Sequence, residues 1–313
     1  MPANLPPQYY EKEKELKKAK TPEEKIVILK ELLAIMPKHK GTDKLQAELR
    51  AKIAKLSKMK SKKSSVRKTP SPYEIKKEGA GQLVLFGPPN SGKSLILSSL
   101  THAESPSPEY PFSTLKPIIG MMDYQDIQFQ LIDTPSIDKE FLDKGLVHLL
   151  RQADLLLLVV DVGEDDVVEK IEAVRDKLKE KNFYLEEEKE KIMIIANKID
   201  KTNAEERKAI LEELYPFPII PISAKEKKWN NLKEKIFENL KIIRVYLKPP
   251  GKPPSREEPV ILKKGSKVID AAEAIHKDFL NMRYARIWND ELHGLRVERE
   301  YLLKDGDILE FHL

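Results

Sequence analysis

The segment GPPNSGKS, Gly87 to Ser94, stands between the apolar run Leu83–Phe86 and the helix-forming stretch SLILSSL. A strand that breaks into a glycine-bearing loop and restarts as a helix is the P-loop pattern in the context that gives it meaning. Gly87 and Gly92 let the backbone wrap closely round phosphates. The N–H groups of Asn90, Ser91, Gly92, Lys93, Ser94 and Leu95 sit where a helix N-terminus presents the positive ends of its peptide dipoles. Lys93 is placed to reach the β- and γ-phosphates of a nucleotide, and the Ser94 hydroxyl to ligate Mg²⁺.

Such a loop belongs to a parallel sheet, and the chain alternates accordingly. Leu83–Phe86, Ile127–Ile132, Leu155–Asp161, Ile192–Ala196 and Ile219–Ile222 read as strands. Helices are predicted over roughly 93–101, 139–151, 164–180, 204–213 and 230–240. This is a doubly wound, mostly parallel α/β domain of the P-loop NTPase class, assigned to residues 79–242. The whole chain of 313 residues exceeds one ordinary core, so further domains are expected on both sides. LKPPGKPP (247–254) interrupts the pattern and reads as a boundary, and residues 243–313 carry short strands around one helix near Lys267–Phe279. Trp229, Tyr284 and Trp288 are read as core residues, with partner contact as the alternative.

Residues 1–78 read as a basic helical hairpin and linker. Thr21-Pro22-Glu23-Glu24 starts a helix with a capping box, Ile26, Leu29, Leu32, Leu33 and Met36 follow at helical spacing, and Pro37 stops it. A second helix begins near Thr42-Asp43 with its stripe at Leu45, Leu49, Ile53, Leu56 and Met59. Residues 1–80 hold 21 Lys and Arg against 10 Asp and Glu, a net of +11 on a chain of net charge +5. Lys52, Lys55, Lys58, Lys60, Lys62, Lys63, Arg67 and Lys68 occur with no acidic residue between Ala51 and Tyr73, which points to a polyanionic partner. The serines and prolines at the end of this run make it a flexible linker.

The choice of base comes from NKID, at the end of the strand KIMIIA. The Asp200 carboxylate can accept hydrogen bonds from both N1–H and the 2-amino group of guanine, a donor pair that adenine lacks. Asn197 and Lys198 accompany it, with Lys198 along the base plane. Ser223, Ala224 and Lys225 of ISAK follow the next strand, where a backbone N–H can meet guanine O6. Asp133 of LIDTPS can hold Mg²⁺ through water, and Thr114 of PFST, with Ser113 as its competitor, can cap it when a γ-phosphate is present. The residue types therefore imply GTP/GDP with Mg²⁺, and Lys93 and Thr114 as catalytic groups.

The ordered set GPPNSGKS, YPFST, DTPS, NKID and ISAK resembles the translation-factor-related GTPases, and more narrowly the Obg superfamily with its branch of developmentally regulated GTP-binding proteins. GTDKLQAELRAKIAKLSK is similar to the helical pair ahead of the G domain in that branch, and YEIKKEGAGQLVLFG to its lead-in. PVILKKGSKVIDAAEAIHKDF and LLKDGDILEFHL resemble the TGS domain, a ubiquitin-like β-grasp module. The resemblance implies a slow, switch-like GTPase acting on the ribosome or rRNA, with residues 52–68 as the contact and a protein partner open to the TGS module. It also implies a potassium ion between Asn90 and the phosphates, against which stands a purely structural role for Asn90 in the loop.

Two departures stand out. Ser136 replaces the family's switch glycine, where its N–H would meet the γ-phosphate, and Ile137 stands where small signalling GTPases carry a water-orienting Gln. The span from Asp133 to Asn197 leaves little room for the insert that the branch carries there. An RNA-binding scaffold that holds GTP with little hydrolysis is the alternative reading. Cysteine is absent and the N-terminal residues lack the apolar core of a secretory signal, so a cytoplasmic protein without a membrane span is expected. The six histidines show no metal-ligand spacing.

Overall fold

The computed structural model describes residues 6–18, 22–36, 42–63, 71–101, 116–138, 142 and 144–313. Thr21, Pro37 to Gly41, the linker residues 64–70 and Pro111 to Thr114 lie outside the described residues. The chain divides into two compact units, Met1–Pro70 and Ser71–Leu313.

Among the described residues the first unit holds three helices, α1 (Pro7–Lys18), α2 (Pro22–Ile35) and α3 (Asp43–Lys63). The hairpin reading is thus corrected by one helix. α1 has few apolar residues, and Tyr9 with Leu16 makes too sparse a stripe to be read by period, yet Tyr9 is buried against Leu29, Leu32, Met36 and Leu49. α3 continues to Lys63, so Lys52 to Lys63 ride on a helix, and the side chains of Lys52 and Lys55 are exposed on it.

The second unit opens on β1 (Gln82–Phe86), α4 (Lys93–Leu100), β2 (Ile118–Tyr124), β3 (Ile127–Asp133), α5 (Lys144–Gln152) and β4 (Leu155–Asp161). It continues with α6 (Val167–Lys179), β5 (Ile192–Asn197), α7 (Ala204–Leu214), β6 (Ile219–Ile222) and α8 (Leu232–Leu240). The sheet order is β2-β3-β1-β4-β5-β6, all parallel but for β2. β1, β4 and β5 are buried along their whole lengths because helices cover both faces, which is why they read as unbroken apolar runs. β2 escapes that signal. IIGMMDY is an edge strand with only Gly120 and Met122 buried, held by its antiparallel register to β3.

The C-terminal module has a second sheet of order β10-β9-β11-β7-β8. Its strands are β7 (Ile242–Leu247), β8 (Ser255–Lys263), β9 (Tyr284–Trp288), β10 (His293–Val297) and β11 (Ile308–His312). β7 and β11 run parallel at the centre while the other pairs are antiparallel, and α9 (Val268–Ile275) buries Val268, Ala271 and Ala272 against the sheet, a β-grasp arrangement. LKPPGKPP is corrected from a boundary to the turn joining β7 to β8. Its prolines cannot donate to a ladder, so they end one strand and delay the next. Arg244 of β7 ties the module to the β2–β3 turn, with Asp126 at 2.7 Å and Asp305 of its own module at 2.7 Å. Trp229 packs against the first sheet's core, whereas Tyr284 and Trp288 leave the core and occupy the outer face of the second sheet. No helix among the described residues is long and apolar enough to cross a membrane.

Candidate nucleotide site

The parallel register brings five strand ends to one edge of the first sheet, where ligands settle in open α/β folds. Leu85 is level with Asp133, Asp161 with Asn197, and Asn197 with Ile222. The loops leaving these ends carry nearly all the residues singled out by sequence.

At the P-loop the backbone is in the left-handed region at Asn90 (φ 60°) and Gly92 (φ 94°). A Cβ on Gly92 would lie 2.3 Å from Asn197 Nδ2, and one on Gly87 would lie 2.4 Å from the Val159 carbonyl oxygen, so neither position admits a side chain. Lys93, 5% exposed, folds back along the loop and donates to the carbonyls of Pro88 (2.9 Å) and Gly87 (3.3 Å) and to Ser136 Oγ (3.2 Å). Burial pushes its ammonium down to about 8, against the opposing pull of Asp133. The Ser91 hydroxyl donates to the Pro88 carbonyl, and Leu95 is exposed on the first turn of α4.

Asp133 is fully buried. Its Oδ2 accepts from Ser94 Oγ at 2.5 Å, and its Oδ1 has no hydrogen-bond partner among the described residues. Burial raises its pKa despite the Ser94 hydrogen bond. A buried carboxylate oxygen without a partner is costly unless a cation shares it. Hydroxyl and carboxylate oxygens side by side suit a hard cation such as Mg²⁺, so these residues fit that ion. Beyond Asp133 the chain returns to the P-loop. Thr134 Oγ1 donates to the Leu85 carbonyl and the Ile137 N–H to the Gly87 carbonyl, while the Ile137 side chain enters the core. Thr114 lies outside the described residues.

The base end is bonded more completely. Asn197, 1% exposed, donates from Nδ2 to the Ser91 carbonyl (2.8 Å) and accepts at Oδ1 from the Ala224 N–H (3.1 Å), clasping the P-loop to the ISAK loop. Lys198, at φ 65°, donates to the Asn90 carbonyl (3.0 Å) and pairs with Asp161. Ser223 hydrogen-bonds Asp200 and holds that exposed carboxylate below the usual range, and Lys225 is exposed beside it. Sequence reasoning missed Asp161. Its signal was available, an acid closing an apolar strand as Asp133 does, but no loop motif follows it. Its Oδ1 accepts from the Gly163 N–H at 2.9 Å, which fixes the carboxylate against Lys198.

Comparison with known proteins follows the same division. Residues 82–198 match the family described as 50S ribosome-binding GTPase, and residues 243–313 match the TGS domain. The chain is 30% identical to an uncharacterized GTP-binding protein of Methanocaldococcus jannaschii over 92% of each chain. It is 26% identical to a developmentally-regulated GTP-binding protein 1 homolog of Dictyostelium discoideum, over 92% of this chain and 98% of that one. It is 25% identical to ribosome-interacting GTPase 1 of Saccharomyces cerevisiae, over 91% of this chain and 97% of that one.

Proposed function

The chain belongs to the developmentally regulated GTP-binding protein family, P-loop GTPases with a C-terminal TGS domain, and from that premise we propose how its residues share the work. It binds GTP and GDP and hydrolyses GTP. Gly87, Ser91, Gly92 and Leu95 shape or face the phosphate loop, and Lys93 exchanges its loop carbonyls for the β- and γ-phosphates. Ser94 and Asp133, with Thr114 in the GTP state, would hold Mg²⁺, and the ion would supply positive charge against that developing on the phosphates. The Ser136 N–H meets the γ-phosphate. Asp200 reads guanine, Lys198 lies along it, and Ala224 with its neighbours Ser223 and Lys225 closes the pocket round O6. Asn90 would either hold a potassium ion or only support the left-handed turn of the loop at φ 60°; equal hydrolysis rates in potassium and sodium buffers would leave it the structural role alone.

The observation that carries this reading is the buried Asp133 Oδ1, unpartnered among the described residues, beside the Ser94 hydroxyl and within the electrostatic reach of Lys93. The test is multiple-turnover GTP hydrolysis with and without Mg²⁺. Activity is expected to need the metal and to vanish in Lys93→Ala.

The cellular target is the ribosome or rRNA in the cytoplasm, reached through the basic residues 52–68, with a protein partner for the TGS module as a further contact. The exposed Lys52 and Lys55 on α3, the charge of that run and the name of the yeast relative support it. Co-sedimentation with ribosomes is expected to favour a GTP analogue over GDP, to weaken with salt, and to be lost when the lysines are neutralised. A second reading, a scaffold that holds GTP and hydrolyses it rarely, is favoured by Ile137. Its side chain lies in the core and offers nothing to orient water, so intrinsic turnover is expected to be slow.

A further inference from the structure

The outer face of the second sheet carries a cluster that the nucleotide site does not use. Along β9, Ala285 and Ile287 enter the core, so Tyr284, Arg286 and Trp288 stand on the opposite face. The register sets His312 beside Tyr284, and places Arg296 and Glu310 on either side of Arg286.

The rings and cations on this face are stacked. Tyr284 lies on the His312 ring at 4.4 Å between centroids and 15° between planes, and the Arg296 guanidinium is 4.5 Å from the Tyr284 centroid. The Lys248 ammonium sits 4.5 Å from the Trp288 ring. Glu310 is almost fully buried here, is ion-paired with Lys248, and lies 2.6 Å from His312 Nε2. Beside Tyr284 is an open hollow of about 170 Å³, lined by Arg283, Arg296 and Arg299 together with one carboxylate, Glu298. That is room for far more than a water molecule. The four arginines at 283, 286, 296 and 299 are exposed, and no carboxylate among the described residues pairs with Arg283, Arg286 or Arg296.

Unpaired guanidinium groups call for phosphate, which they bind in a planar fork. Aromatic rings and guanidinium planes presented on a sheet give bases a stacking platform. An acidic peptide would use the first feature and waste the second. A duplex keeps its bases stacked inside and would do the same. We propose that the outer face of β9, β10 and β11 binds an unpaired RNA strand, with a base stacked on the Tyr284–Arg296 platform and its phosphates held by Arg283, Arg296 and Arg299. This rests on the RNA-directed part of the reading above, and adds a second contact independent of residues 52–68.

The test uses the full chain and a fluorescein-labelled, unstructured 12-nucleotide RNA of mixed sequence, read by anisotropy. R283E/R296E is expected to lower affinity by at least tenfold and to flatten the salt dependence. Tyr284→Leu, which keeps apolar bulk but removes the ring, is expected to lower it by about fivefold or more. Both variants should keep the wild-type melting temperature and GTP hydrolysis rate. The same losses should appear in a background where the basic residues of 52–68 are changed to Gln, so ribosome binding can fail through that segment while this site stands. An R283E/R296E chain that binds the RNA as tightly as wild type would overturn the proposal. So would an unresponsive Tyr284→Leu combined with equal binding of a duplex or of polyglutamate, which would mark a general anion-binding face.

Discussion

The two ends of the nucleotide site are built on opposite principles. At the base end the polar groups described above are paired: buried Asn197 is bonded on both sides, half-buried Lys198 is held by Asp161 and the Asn90 carbonyl, and exposed Asp200 by Ser223. At the phosphate end a buried ammonium makes do with loop carbonyls, and a buried carboxylate keeps one oxygen unpartnered. A satisfied network is rigid and recognises one shape. An unsatisfied one gains most when its ligand arrives. Under the proposed assignment the guanine pocket is expected to be preformed, and the phosphate pocket to be the part that changes with nucleotide state.

The sharpest way to break this comparison is at Asp133. Asp133→Asn keeps the shape and removes the charge, and is expected to cut Mg²⁺-dependent GTP hydrolysis by about two to three orders of magnitude, with guanine preference unchanged. A rate within a few fold of wild type would remove Asp133 from the metal site. Next comes the base end. Asn197→Ala leaves the Ser91 carbonyl and the Ala224 N–H unpaired in a buried place, a cost of roughly 2–4 kcal/mol. It should weaken GTP and GDP equally and lower the melting temperature; a loss confined to GTP would mean that Asn197 belongs to the switching end. Asp200→Asn replaces an acceptor with an amide and should reduce GTP affinity by about ten- to a hundredfold while improving that for xanthosine triphosphate.

The smallest effect is a pH dependence. With its folded pKa lowered to about 8, Lys93 loses its proton as pH rises through 8 in the free protein, whereas bound phosphates favour the charged form. Nucleotide binding between pH 8 and 9 should take up a proton, and affinity should fall with rising pH by up to about tenfold per unit. Calorimetry in buffers of different ionisation enthalpy would detect the uptake; none at pH 8.5 would mean that Lys93 is charged in the free site.

Much of this contrast was legible in the sequence because the chemistry sits in short, contiguous loops at strand ends. Gly87 to Ser94, Asn197 to Asp200 and Ser223 to Lys225 come together through the parallel register that the apolar runs predict. What escaped was long-range or weakly patterned. Asp161 matters through Lys198, 37 residues away, and no local motif announces the pair. β2 is a half-exposed edge strand whose only strong instruction is its pairing with β3. α1 is mostly charged after its first turn and packs through Tyr9. Tyr284 and Trp288 misled because an aromatic in a strand reads as core, and only the register of β9 shows which face it takes.

The most direct test of the central claim is to measure hydrolysis of GTP and ATP side by side, in Mg²⁺, for wild type and Lys93→Ala. A preformed guanine pocket over a metal-dependent phosphate loop predicts slow turnover of GTP, none of ATP, and neither in the variant. Equal turnover of the two nucleotides, or GTP hydrolysis that survives the loss of Lys93, would contradict it.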